Sequence, residues 1–212
     1  MQNEMTAKKK KNEGGTGHLV KIVVVLTAIC VCVALLLAFV NNITKDVIAE
    51  TAAKKQSDAI LSMFGGFGSD AKEVKEYTTD DGTTVYAVID DGVLIGYAVP
   101  SSGTGFGGEI KTTVGFILAG KVIGVKIISM SETPGVGSKT QNEDFLARYV
   151  GKSETLTVGE NFDGIANATI SSKGVTEAVN KAIDLPLDVT DMAVKLGAAI
   201  TVDYVKSAGG DN

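Results

Sequence analysis

Three short segments of this chain carry residues that packing alone does not explain. Gly103-Thr104-Gly105-Phe106-Gly107-Gly108-Glu109 is dense in glycine. Its backbone amides could approach a planar or anionic ligand closely, or it could be a plain flexible loop. Ser131-Glu132-Thr133-Pro134-Gly135-Val136-Gly137 sets a carboxylate and hydroxyls beside a Pro-Gly turn, so that Glu132 and Thr133 project from a strand end. An ordinary turn has the same composition. Asp163-Gly164-Ile165-Ala166-Asn167-Ala168-Thr169-Ile170-Ser171-Ser172 runs into Val175, Ala178, Val179, Ala182 and Ile183, an apolar helix stripe. Ser171 or Ser172 is the expected N-cap, with the helix proper from about Lys173 to Asp184. Thr169 then lies just before a helix N-terminus, where free amides and the helix dipole favour a phosphate. Plain capping needs only one of these hydroxyls.

The elements that position these segments read as follows. Residues 84–89 and 93–99 alternate as strands around Asp90-Asp91-Gly92, a hairpin signal. A second pair, 112–118 and 121–129, flanks Ala119-Gly120. A short helix is expected over 141–150 with Gly151 as its stop, then a weak strand at 156–158 and a last helix over 189–206. Strands first and helices mostly after them predict an α+β fold, with helices packed on an antiparallel sheet.

Ahead of this lies an uncharged stretch from Ile22 to Ile43. Twenty-two helical residues rise ~33 Å, about the thickness of a bilayer's hydrocarbon core. The stretch is longer than a signal-peptide core, no A-x-A cleavage pattern follows it, and Ile29 before Cys30 is too bulky for lipoprotein processing. A permanent anchor is therefore expected. Residues 1–21 carry net +3 and the remainder −8, which keeps the N-terminus in the cytoplasm and sends the following domain outward. The resulting division is a basic tail at 1–18, a transmembrane helix at 19–43, a stalk helix and hinge at 44–69, and an extracytoplasmic domain at 70–212. Cys30 and Cys32 both fall mid-membrane, so the outer domain has no disulfide available.

Composition narrows the chemistry. The single histidine, His18, stands in a Gly-rich tail, so no histidine-based triad is at hand, and two cysteines make no zinc ribbon. A net charge of −5 and the absence of tryptophan argue against a nucleic-acid partner. Difficult chemistry would fall to a bound cofactor.

In this order behind one membrane helix, the segments resemble those of the G subunit of the Rnf electron-transport complex. The C subunit of the sodium-pumping NADH:quinone oxidoreductase shares the same domain. The family's Gly-rich loop matches Phe106-Gly107-Gly108, its E-T-P-G-L-G loop matches Glu132 through Gly137, and its S/T-G-A-T motif with a preceding Asp matches Asp163 through Thr169. Chain length favours the Rnf type. The resemblance implies FMN held by a phosphoester to Thr169, with Asp163 belonging to the pattern a flavin transferase reads. It also implies that Asn167, Ala168, Ser171, Ser172, Glu132, Thr133, Pro134, Gly135, Gly107 and Gly108 surround the cofactor, and that backbone approaches the ring closely at Gly135. Three positions depart from the family pattern: Ala166 for Ser or Thr, Asn167 for Gly, and Val136 for Leu. Asn tolerates a positive φ better than other side chains, so the turn can survive.

The implied function is electron relay in an ion-translocating ferredoxin:NAD oxidoreductase of the bacterial cell membrane. Its partners would be other membrane and peripheral subunits, the flavin transferase and membrane lipid. A free-standing anchored FMN shuttle, a relative of the quinone reductase's C subunit and a cofactor-free anchored binding domain remain the alternatives.

Overall fold

The computed structural model describes residues 14–65 and 72–200. The chain divides into two compact units, Met1–Ala52 and Ala53–Asn212. Helix α1 runs Gly14–Met63. In the first unit it contains the apolar span Val20–Lys45, 26 residues long. Its Val, Leu, Ile and Phe side chains are exposed on every face, from Val20 at 60% to Ile43 at 59%. A helix apolar all round with no protein against it suits lipid rather than water. Most of the expected basic tail, residues 1–13, lies outside the described residues, as do residues 66–69 of the expected hinge.

The second unit is an antiparallel meander with strand order β1-β2-β3-β4-β5: Lys72–Thr78, Thr84–Asp90, Val93–Thr104, Glu109–Ile117 and Val122–Ser129. The β2–β3 hairpin turns on Asp91 (φ 48°) and Gly92 (φ 78°), the left-handed pair that a tight hairpin requires. Alternation along the strands gives the sheet two apolar faces. On one face Val85, Ala87, Tyr97, Val99, Val114 and Phe116 pack under helix α3 (Thr169–Ile183) through Val175, Val179 and Ala182. On the other, Val88, Ile95 and Ala98 pack against Ile60 and Phe64 at the end of α1. A Cβ on Gly96 would stand 2.5 Å from the Phe64 ring, and one on Gly124 2.9 Å from Met63 Cγ. The absence of side chains there seats the end of α1 flat on the sheet. The compact unit thus takes in the last turns of the expected stalk.

Several elements differ from the sequence reading. Strand β1 begins at Lys72; its charge-rich sequence hides it, as suits an edge strand. The expected 141–150 helix is a chain of single turns instead. A 3₁₀ turn at Gly137–Gln141, helix α2 at Glu143–Leu146 and a 3₁₀ turn at Ala147–Tyr149 lead to Gly151 at φ 81°. The 156–158 segment makes one bridge, Val158 to Phe162, rather than a strand. The last helix, α4, spans only Val189–Leu196, because Gly197 takes the left-handed conformation (φ 65°) and releases the chain. Ala199 then pairs with Val93, while residues 201–206 lie outside the described residues.

Candidate flavin cleft

Helix α3 begins four residues earlier than its apolar stripe suggests. Asn167 adopts φ 65°, as its replacement of glycine allows, and turns the chain at Ala168, which stands at the N-cap position. The first helical bond runs from Ser172 N–H to the Ala168 carbonyl, 2.8 Å. Thr169 is therefore the first residue of the helix, exposed and at its end, rather than a residue before it. The N-cap residue makes no side-chain capping bond. Ser171 and Ser172, expected as caps, are buried inside the first turn and bond elsewhere. The Ser171 hydroxyl donates to Glu132 Oε2 at 2.6 Å, and Ser172 Oγ accepts from Ile165 N–H at 3.0 Å. The first-turn amides of α3 are left to solvent or to an anion.

Glu132 links all three sequence segments. Its Oε2 takes the Ser171 hydroxyl, and its Oε1 takes the Gly107 N–H at 3.0 Å. Its side chain is buried, so these donors replace the water a carboxylate would otherwise hold. Glycines make this possible. A Cβ on Gly107 would lie 2.0 Å from the Ser131 carbonyl oxygen, and one on Gly137 2.3 Å from Glu132 Oε2 and 2.6 Å from Ser171 Oγ. Helix and strand β3 also meet at glycine, since a Cβ on Gly103 would fall 2.0 Å from the Gly174 carbonyl oxygen.

Between these segments lies a cleft of about 360 Å³. Phe106 lines it from the β3–β4 turn, Glu132, Thr133, Val136 and Gly137 from the loop after β5, and Asn167 through Ser171 from the start of α3. Of the residues expected around a cofactor, Glu132, Thr133, Asn167, Ala168, Thr169 and Ser171 line it. Gly107, Gly108, Pro134, Gly135 and Ser172 are not among the residues that line it. Gly107 and Ser172 hold side chains and loops by hydrogen bonds, and Gly108 (φ 132°) and Gly135 (φ 76°) set turns. A Cβ on Gly135 would meet no other atom of the chain within 4 Å, so within the protein itself it is φ that favours glycine there. Asp163 is exposed and does not line the cleft; Arg148 donates from Nη1 to its main-chain carbonyl at 3.0 Å.

The apolar wall was not singled out from sequence. Phe106, Val136 and Ile170 line the cleft while staying 70%, 42% and 54% exposed. The available signal was a lone large apolar residue in each of the two glycine-rich segments, Phe106 and Val136, and Ile170 beside the hydroxyls of the third. Solvent-facing apolar side chains around one concavity suit a flat, largely apolar ligand. Among the described residues, the cleft lining contains one charged side chain, Glu132, and no lysine, arginine or histidine.

Residues 105–184, which hold most of the three segments, match the FMN-binding domain family. The fold and cleft thus define a protein with one apolar anchor helix and a domain of the FMN-binding type. Over 166 residues the chain is 30% identical to the G subunit of the proton-translocating ferredoxin:NAD(+) oxidoreductase complex of Clostridium ljungdahlii, covering 75% of this chain and 86% of that protein. The Na(+)-translocating counterpart of Acetobacterium woodii is 28% identical over 185 residues, covering 77% and 88%. The G subunit of an ion-translocating oxidoreductase complex of Methanosarcina acetivorans is 28% identical over 176 residues, covering 79% and 94%. The chain belongs to this family of G subunits of Rnf-type complexes. Among solved structures, the C subunit of the Na(+)-translocating NADH-quinone reductase from Parabacteroides distasonis aligns with a TM-score of 0.41 at 22% identity, covering 61% of this chain and 64% of that one.

Proposed function

We propose that this chain is a membrane-anchored flavoprotein subunit that carries FMN on Thr169 and relays electrons within an ion-translocating ferredoxin:NAD oxidoreductase complex. The observation that carries this reading is the position of Thr169. Its hydroxyl-bearing side chain opens an uncapped helix at the wall of the cleft where the three motif segments meet.

The residues present fit the group. Phe106, Val136 and Ile170 offer apolar surface to a ring system, and the first-turn amides of α3 face the place where a phosphate on Thr169 would begin. With no cation in the described lining, a free phosphate would be held by amides alone. A covalent ester to Thr169 supplies the retention that charge does not. Ser171 and Ser172 are poor competitors for that ester, because both are buried and their oxygens are engaged. The exposed Asp163, with its backbone held by Arg148, is available to a flavin transferase reading the segment from outside. When bound, FMN supplies reversible electron transfer at a potential set by its surroundings. The chain's own part is to orient the ring, shield one side of it with apolar groups and fix the loops through Glu132.

The lysine-rich N-terminus and the acidic remainder support a cytoplasmic N-terminus, one bilayer crossing and a domain on the outer face of the cell membrane. Other subunits and lipid would surround the anchor. The test is the intact mass of the chain purified from its native membrane, followed by peptide mapping. An added FMN located on Thr169, with further membrane proteins of the complex copurifying, is the expected result. An unmodified mass would overturn the covalent reading. Protease added to intact cells without an outer membrane should digest the domain, and protection would overturn the topology.

A further inference from the structure

From the charge inside the cleft we infer that Glu132 is a positioning residue that also sets the flavin's reduction potential, holding it low; this rests on the functional reading above. Glu132 is the one charged side chain among the described residues lining the cleft. It is 9% exposed, so solvent screens it weakly. Its two oxygens are held in place, Oε1 by Gly107 N–H and Oε2 by the Ser171 hydroxyl. No cation on that lining offsets the charge.

Uptake of two electrons and one proton adds one negative charge to a flavin ring. The electrons come from the donor carrier of the complex and leave to its acceptor, and the proton exchanges with solvent. A fixed, buried carboxylate on the wall of the cleft disfavours the added charge, just as a like charge disfavours ionisation of a neighbour. The reduced form is destabilised relative to the oxidised form, and the potential falls. The two roles of Glu132, tying the loops and carrying charge, can be separated. A glutamine at this position can still accept from Gly107 N–H and can donate to Ser171 Oγ once that hydroxyl rotates, so the tie persists and the charge goes. Ser171→Ala does the opposite, breaking the tie and keeping the charge.

The experiment uses the full chain coexpressed with a flavin transferase and solubilised in detergent, with midpoints from a spectroscopic redox titration. Glu132→Gln should raise the midpoint by at least the equivalent of a tenfold shift in the oxidised-to-reduced ratio, about 30 mV for a two-electron couple. Ser171→Ala should lower the melting temperature without raising the midpoint. Should Glu132→Gln fail to fold, Ala168→Asp decides, since it adds a second carboxylate at a buried position lining the same cleft and should lower the midpoint. Flavin-loaded Glu132→Gln with the wild-type midpoint, or flavin-loaded Ala168→Asp with no shift, overturns the assignment to Glu132. A wild-type chain that takes up no flavin overturns the functional reading itself.

Discussion

Ser171 Oγ and Glu132 Oε2 lie 2.6 Å apart, joining the first turn of α3 to the loop after β5. Their sequence separation is 39 residues, and the bond is buried. It explains why a serine expected to cap the helix is found inside it. The hydroxyl serves the neighbouring loop, and the helix end stays uncapped at the cleft. The same carboxylate reaches Gly107, so one side chain sets the mutual positions of all three motif segments.

Gly137 is the residue that leaves room for this bond. Gly137→Ala would press a methyl group onto both Glu132 Oε2 and Ser171 Oγ. Losing a buried, charge-assisted hydrogen bond costs about 1.5–3 kcal/mol. Gly135→Ala meets no atom and costs only the left-handed strain of its backbone, about 1–2 kcal/mol. Thermal melts should therefore rank Gly137→Ala below Gly135→Ala, with each kcal/mol worth roughly 2–4 °C. Equal melting temperatures would contradict the ranking.

Tyr149 is fully buried, stacks on Phe162 with ring centroids 4.3 Å apart, and shares a 2.8 Å hydrogen bond with Thr176. Burial pushes its phenol well above the usual tyrosine value. A group raised in the folded state contributes stability that is fully present below its unfolded value, near 10, and lost as pH climbs through the folded value. Melting temperature should thus decline above about pH 10, and Tyr149→Phe should show a shallower decline than the wild type. An identical slope in the variant would assign the effect to other tyrosines.

How much of this was legible in the sequence depends on what each residue packs against. The β2–β3 hairpin and the apolar stripe of α3 could be read directly, because local turn chemistry and periodicity decide them. Strand β1 could not, since Lys72, Glu73, Lys75 and Glu76 give an edge strand the look of a loop. Nor could the true start of α3, because Ser171 and Ser172 look like caps until Glu132 and Ile165 are seen beside them. The cleft's apolar wall was hidden for the same reason: Phe106, Val136 and Ile170 come together only through the fold. The resemblance to the Rnf family pointed to the chemistry, and tertiary contacts supplied the geometry.

The end of α1 is part of the folded unit. Ile60 and Phe64 are buried against Val88, Ile95 and Ala98, and Gln56 Nε2 donates to Thr113 Oγ1 at 2.7 Å. Burying side chains of this size is worth about 1.5–3 kcal/mol each. A fragment beginning at Ala53 should melt cooperatively, whereas one beginning at Asp70 exposes the apolar face of the sheet and should melt lower or aggregate. Phe64→Ala in the longer fragment should cost about 3–5 kcal/mol. Calorimetry of the three proteins checks this, and equal stability of both fragments would show that the helix end adds nothing.

Thr169 is the decisive position for the proposed modification. Among the hydroxyls near the helix start it is exposed, while Ser171 and Ser172 are buried and hydrogen-bonded. Thr176 is also buried, donating to the Ser172 carbonyl and pairing with Tyr149, so its removal strands the Tyr149 hydroxyl and costs about 1–3 kcal/mol. That makes Thr176→Val a poor control. Thr133→Val is the better one, because Thr133 is exposed and lies on the loop after β5. Thr169→Val keeps the β-branch and the volume at the first helical position, so the fold should persist with a melting temperature close to that of the wild type. Coexpressed with a flavin transferase, it should lose flavin fluorescence on a denaturing gel while Thr133→Val retains it. Fluorescence persisting in folded Thr169→Val protein would place the attachment elsewhere.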